Sequence, residues 1–273
     1  MGSIRAKDKG ERLRYKMVNA NNSCPKTALL LNIGNTNTET ALLKDDVVSS
    51  FPSFCTEDLN QQSPENLPEP LTSNLSIPWV VSSVVPAINN FLNSIQPKGN
   101  LMFITPDMAD DIDFSQVDKA TLGSDRVANL AAAVELKIAP AIILDCGTAI
   151  TAEIIDSENR FLGGAILPGR KMMRQSLADS TGQLPYVNNY PSAPPPSGKD
   201  TAESIVFGID TGLIGALKHI LQTVSNSYPQ DSAFTKTVTG GDRNYFADHI
   251  DELEKAPPDF TMQGLAHITR RLL

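Results

Sequence analysis

The chain has 273 residues, 41% of them apolar, and a formal net charge of −8. That length allows two modest domains or one large one, and the apolar content excludes a disordered chain. The acidity argues against a main task of gripping nucleic acid, which needs clustered Lys and Arg to neutralise phosphates.

Residues 1–26 are polar and carry the exception, Arg5, Lys7, Lys9, Arg12, Arg14 and Lys16. They read as a flexible solvated tail, with an RNA-binding arm as the alternative, and no apolar h-region marks a secretory signal. Apolar runs such as Ala139 to Leu144 are far shorter than the roughly 20 residues that span a bilayer, so no membrane partner is expected. Cys24, Cys55 and Cys146 are odd in number and widely spaced. They suggest neither a disulfide framework nor a metal site, which favours a reducing, cytoplasmic setting. His219, His249 and His267 fall on three separate predicted helices and make no metal cluster.

The folded part is predicted to begin at Thr27. Ala28 to Leu31, Thr38 to Leu43 and Val47-Val48 are short apolar runs separated by polar turns, the pattern of an antiparallel meander. Residues 52–78 suggest a loop with a short helix. Trp79 to Val81 and Leu101 to Ile104 read as strands around a helix that opens at Pro86 and repeats Ile88, Phe91, Leu92 and Ile95. A further helix starts at Ser124, the expected N-cap, with Val127, Leu130, Ala131 and Val134 as its apolar stripe. The opening pattern then recurs as Ala141 to Leu144, Thr151 to Ile155 and Phe161 to Leu167. Residues 183–199 are Pro-rich loop, Thr201 to Thr223 a long helix, Thr237-Val238 a strand leading to another helix, and Thr261 onward a last helix. The repetition predicts an α/β fold of two duplicated lobes, residues 28–122 and 123–273.

Each half carries a polar Gly turn between its first two strands: Asn32-Ile33-Gly34-Asn35-Thr36 and Asp145-Cys146-Gly147-Thr148-Ala149. Glycine admits a phosphate to the backbone, and Asn and Thr side chains add donors beside exposed N–H groups. Singly, such turns are ordinary hairpins. Paired at equivalent places in duplicated lobes, they would clamp one polyphosphate, and Asp145 would hold a cation. Thr239-Gly240-Gly241-Asp242 ends a strand and opens a helix, which suits either a nucleotide or simple packing. Gly123-Ser124-Asp125-Arg126 opens the central helix. There Asp125 and Arg126 suit a base and an anion clamp, or merely an acidic first turn whose helix dipole lowers the Asp125 pKa. Tyr186, Tyr190 and Tyr245 are expected to form no stacking platform.

Together these residues resemble the type III pantothenate kinase family of the acetate kinase, hexokinase, Hsp70 and actin superfamily, with two ribonuclease-H-like lobes around a nucleotide cleft. The likeness runs from about Leu29 to Leu265. It includes Ser82-Ser83-Val84-Val85-Pro86, Gly163-Gly164-Ala165-Ile166-Leu167-Pro168-Gly169, Gly198-Lys199-Asp200-Thr201 and Phe260-Thr261-Met262-Gln263-Gly264-Leu265 beside the turns above. It implies ATP-dependent phosphorylation of pantothenate, the first step toward coenzyme A, with Mg²⁺, a monovalent cation (K⁺ or NH₄⁺) and a homodimer. By position, Asn32, Gly34, Asn35 and Thr36 form the first phosphate loop, and Gly147 and Thr148 the second, with Asp145 at the metal. Gly240 and Gly241 lie near adenosine, and Asp125 faces the acceptor hydroxyl. Gly123 and Arg126 line the pantothenate site, which Thr201 reaches from the partner subunit. Two departures leave a different hydroxylated acceptor or a non-catalytic nucleotide-binding role open: Asn32 replaces an Asp that helps position the metal, and Gln116 and Lys119 replace a Tyr and a Pro.

Overall fold

The structure, a computed structural model, describes residues 27–60, 67–96, 99–229 and 233–273. The basic stretch of residues 5–16 and Cys24 lie outside them. In chain order the first half contains β1 (Thr27–Ile33), β2 (Asn37–Lys44), β3 (Val47–Ser50) and β4 (Phe54–Cys55). It continues with α1 (Glu69–Thr72), β5 (Trp79–Ser83), α2 (Pro86–Ile95) and β6 (Leu101–Phe103). The second half contains α3 (Ser124–Glu135), β7 (Ala141–Cys146), β8 (Ala149–Ile155), β9 (Phe161–Pro168), α4 (Arg170–Ser180) and α5 (Thr201–Ser227). After these come β10 (Thr235–Thr239), α6 (Arg243–Ala247), β11 (Glu254–Lys255) and α7 (Phe260–Leu272).

The two sheets repeat one topology. The first runs β3-β2-β1-β5-β6, with β4 added to β2, and the second runs β11-β10-β7-β8-β9. In each, a three-strand antiparallel meander is extended by two parallel strands from its first strand. The hairpin joining β2 to β3 turns through Asp45 and Asp46, both at positive φ (50° and 66°). Such a turn matches the right-handed strand twist, and Asp is among the few non-Gly residues that tolerate it.

Alternation along the strands decides which residues meet. Ala28 and Leu30 of β1, Ala41 and Leu43 of β2, and Val80 of β5 share one core with α3, α7, Ala141, Ile143 and Ile155. Leu29, Leu31 and Ile33 face the other way, onto Ile88 and Leu92 of α2. In the second sheet Ile142, Leu144 and Cys146 turn outward onto α5 and α6. Helices α3 and α7 are thus enclosed between the two sheets. This corrects the one-stripe reading of α3, in which every residue from Val127 to Ala133 is buried, Asn129 included. The helices touch backbone to backbone at Gly264, where a Cβ would lie 1.8 Å from the Ala128 carbonyl.

Helix α5 extends four residues beyond the predicted end and is capped by Asp200, whose side chain accepts from the Glu203 N–H at 2.8 Å. By length and composition it is one helix that could cross a bilayer, which short apolar runs did not suggest. Here Ile205, Ile209, Leu213, Leu217 and Leu221 pack it onto the second sheet. His249 lies in the turn after α6 rather than on a helix, with Nδ1 2.7 Å from the Tyr245 carbonyl.

Candidate active site

The inner faces of β1 and β7 are apolar until their last inward residues, Asn32 and Asp145. Just beyond these come the two Gly turns. Gly34 N–H donates to the Asn37 carbonyl at 3.0 Å, and Gly147 N–H to Ala149 at 3.0 Å. The turns meet across the lobes, with the Thr36 and Thr148 hydroxyls 2.9 Å apart. Thr56 ties down the first turn by donating to the Gly34 carbonyl at 2.7 Å.

Gly240 joins this assembly. Its φ is +88°, and a Cβ there would fall 2.6 Å from both Asp145 Oδ1 and the Cys146 carbonyl. Only glycine lets the turn after β10 lie against the second loop. Gly241 is exposed beside it. Gly169 makes a similar approach, since its Cβ would lie 2.2 Å from the Gly147 carbonyl.

Helix α3 delivers the remaining groups. Ser124 is not the N-cap; Gly123 holds that place. The Ser124 hydroxyl instead accepts from the Ser83 N–H at 2.8 Å and donates to the Ser83 carbonyl at 3.1 Å, pinning the helix start to the end of β5. Gly123 leaves room for the Asp125 carboxylate in its observed place, since a Cβ would sit 2.6 Å from Oδ1. Asp125 Oδ1 accepts from the Arg126 N–H at 2.8 Å. The helix start was expected to lower this carboxyl's pKa. Burial instead raises it above the usual range, outweighing that hydrogen bond and the Arg126 charge.

One turn on, Asn129 donates to Asp145 Oδ2 at 3.1 Å and accepts from the Thr261 hydroxyl of α7 at 2.8 Å. Burial, reinforced by the charges of Asp125 and Glu39, pushes Asp145 up to about 6, against the Asn129 bond. The oxygen donors at the ends of β1 and β7 and in the two turns are Asp145, Asn32, Thr36 and Thr148, with Glu39 bonded to Asn32. This set suits a hard divalent ion, which takes carboxylate and neutral oxygens together with substrate phosphates.

Arg126 reaches across to β8 and β9. Its Nε donates to Glu153 Oε1 at 2.9 Å, and its guanidinium lies 5.4 Å from the Phe161 ring centre. Gly164 lets β9 lie close to β8 here, since a Cβ would fall 1.7 Å from the Ala152 carbonyl and 2.7 Å from Arg126 Nη2. Glu153 is wholly buried, and burial pushes its carboxyl up to about 7 despite Arg126. Sequence reading missed Glu153. The available signal was a carboxylate at an inward position of β8, in step with Ile155.

A second missed cluster backs the Gly240 turn. Arg170 and Arg174 of α4 both grip Asp210 of α5, through Nη2 contacts of 2.8 Å and 2.9 Å, and all three are buried. Arg170 Nη1 also lies 3.5 Å from Asp242, next to Gly241. Tyr245 and Tyr190 flank the Arg170 guanidinium, at 3.6 Å and 5.3 Å from their ring centres. These tyrosines are therefore not scattered; they stack on arginine.

Thr201 stands apart from these groups. It is exposed at the first position of α5, beside an apolar groove of about 350 Å³ lined by Met173, Leu177, Leu184, Ile205 and Gly208. Lys119 bonds Asp107 at the surface at 3.1 Å.

Residues 28–223 match the family model described as type III pantothenate kinase. The type III pantothenate kinase of Thermosipho africanus is 32% identical, covering 81% of this chain and 90% of its own. That of Fervidobacterium nodosum is 30% identical, covering 87% and 94%. Among solved structures, a Campylobacter jejuni protein described as a Baf family transcriptional activator superposes with TM-score 0.58 at 19% identity, over 89% of this chain and 97% of its own. The ethanolamine utilization protein EutJ of Carboxydothermus hydrogenoformans gives 0.50 at 14%, over 92% of each chain. At those identities the structures speak for the fold alone, an α/β arrangement with two sheets of one topology. The chain belongs to the type III pantothenate kinase family, enzymes that phosphorylate pantothenate with ATP and a divalent metal in coenzyme A biosynthesis.

Proposed function

We propose that the cleft between the Thr36 and Thr148 turns is where the ATP γ-phosphate passes to the hydroxyl of pantothenate. The contact of the two turns at 2.9 Å carries this reading, because it brings equivalent loops of both lobes to one point. In it, backbone N–H groups of Asn35, Thr36 and Thr148 cradle phosphate oxygens, Gly34 and Gly147 let the phosphates approach the turns, and Gly240 and Gly241 border adenosine. Asp145, Asn32 and their neighbours would hold Mg²⁺, which neutralises charge on the phosphates.

Asp125 orients the acceptor hydroxyl and accepts its proton. Burial helps, because a carboxylate with a raised pKa is a better proton acceptor at neutral pH. The Arg126 N–H keeps that carboxylate in place, and the Arg126 guanidinium, fixed by Glu153, presents a cation to the acceptor's own carboxylate.

The family likeness adds a monovalent cation and a homodimer, and the fold offers a surface for the latter. Along α5, Gly208, Gly212 and Gly215 face open space beside the apolar groove. The family likeness assigns Thr201 of such a second copy to the acceptor site. Free Cys55 and Cys146 fit a reducing cytoplasm. The test is ADP release from Mg²⁺-ATP with and without pantothenate, in K⁺, NH₄⁺ or Na⁺. The expected result is pantothenate-dependent turnover that is several-fold faster in K⁺ or NH₄⁺. Turnover with another hydroxylated acid and none with pantothenate would overturn the acceptor assignment.

A further inference from the structure

The first loop carries Asn32 where a negative charge would help hold the cation, and the fold puts a carboxylate directly beside it. Asn32 and Glu39 are cross-strand partners in the β1–β2 pair, and Asn32 Nδ2 donates to Glu39 Oε2 at 3.2 Å. Strand alternation puts both on the inner face. Ala28 and Leu30 precede Asn32 there, and Ala41 and Leu43 follow Glu39, all four in the core shared with α3. No cation pairs with Glu39 among the described residues. Its charge is also one of those that act on Asp145 of the other lobe.

From this geometry we infer that Glu39 supplies the first lobe's carboxylate to the divalent cation, with Asn32 as the amide that orients it. The inference rests on the reading of the cleft as the Mg²⁺-ATP site. Each lobe then contributes one carboxylate, Glu39 from β2 and Asp145 from β7. One or two carboxylates with substrate phosphates suffice for Mg²⁺, which keeps several waters and needs no closed cage. Glu39 is exposed, so it approaches the ion without a large desolvation cost, whereas Asp145 is enclosed. The Asn32 amide donates to one carboxylate oxygen and leaves the other for the cation or a water on it.

The test measures Mn²⁺ binding to the full chain by the spin-resonance signal of free Mn²⁺, with a non-hydrolysable ATP analogue present. Glu39→Gln is expected to raise the Mn²⁺ Kd about tenfold, while binding of the metal-free analogue is undiminished because a like charge has gone. Adding Asn32→Asp to Glu39→Gln is expected to restore the Kd to within about threefold of the parent. Asp145→Asn serves as the control. If Asp145→Asn weakens Mn²⁺ and Glu39→Gln leaves it within twofold, the Glu39 assignment is overturned and the site stands. If Asp145→Asn has no effect, the reading of the site itself fails and takes the Glu39 assignment with it.

Discussion

Glu153 offers a quantitative check on the electrostatics of the acceptor side. Its carboxyl is wholly buried and pushed up from an ordinary 4.5 to about 7, with Arg126 opposing the burial. At 1.36 kcal/mol per pH unit that gap is worth about 3 kcal/mol. Because the folded value is raised, the folded protein binds the proton more tightly than the unfolded chain. The resulting stabilisation is full below pH 4.5 and is lost as pH rises through 7. Glu153→Gln keeps the shape but has no proton to lose. Between pH 5 and 8 the parent should therefore lose about 2–3 kcal/mol relative to the variant, and the variant should gain on it at the alkaline end. Urea unfolding of both proteins at pH 5, 6, 7 and 8 at constant ionic strength measures this. The raised pKa of Asp145 is present in both proteins and drops out of the comparison to first order. A parent–variant difference constant within about 0.5 kcal/mol would show that the Arg126 ion pair holds Glu153 near its ordinary value, and the reasoning would be refuted.

Two other substitutions probe the frame behind the site. Asp210→Asn removes the full charge that Arg170 and Arg174 share in the interior, and should cost about 3–5 kcal/mol in urea unfolding. A loss below about 1 kcal/mol would mean that Asp242 already neutralises the pair. Gly264→Ala drives a methyl into the Ala128 carbonyl and must push α7 off α3. A loss of about 1–3 kcal/mol is expected, with reduced turnover because α3 carries Asp125; unchanged stability would contradict the close helix contact.

Much of this molecule was legible because its sequence repeats. Alternating apolar runs around Gly34 and Gly147 announced the same meander twice, and the sheets carry the same strand order. Pro86 and the Ile88 to Ile95 spacing located α2 within its observed bounds. What stayed hidden depends on contacts between distant segments. An apolar stripe on α3 cannot reveal that a second sheet covers the opposite side of the helix, so Asn129 gave no sign of linking Asp145 to Thr261. Local rules likewise misjudged Ser124 and Asp125. A serine before a helix predicts a cap, yet its hydroxyl is drawn to Ser83, 41 residues away. A carboxylate in the first turn predicts a lowered pKa, yet desolvation by burial is the larger effect. Arg170, Arg174 and Asp210 were invisible for the same reason, since a buried charge is explained only by its partner; Glu153 left only the mark of a carboxylate at an inward position of β8.

The most direct test of the central claim is pantothenate-dependent ADP release by the parent and by Asp125→Asn, together with binding of a non-hydrolysable ATP analogue to each. The account predicts that the parent turns over and that the variant loses at least about a hundredfold in kcat while binding the analogue within about twofold of the parent, because Asp125 acts on the acceptor hydroxyl. A variant that keeps near-parental kcat would contradict the assignment of Asp125 and the acceptor site built around it.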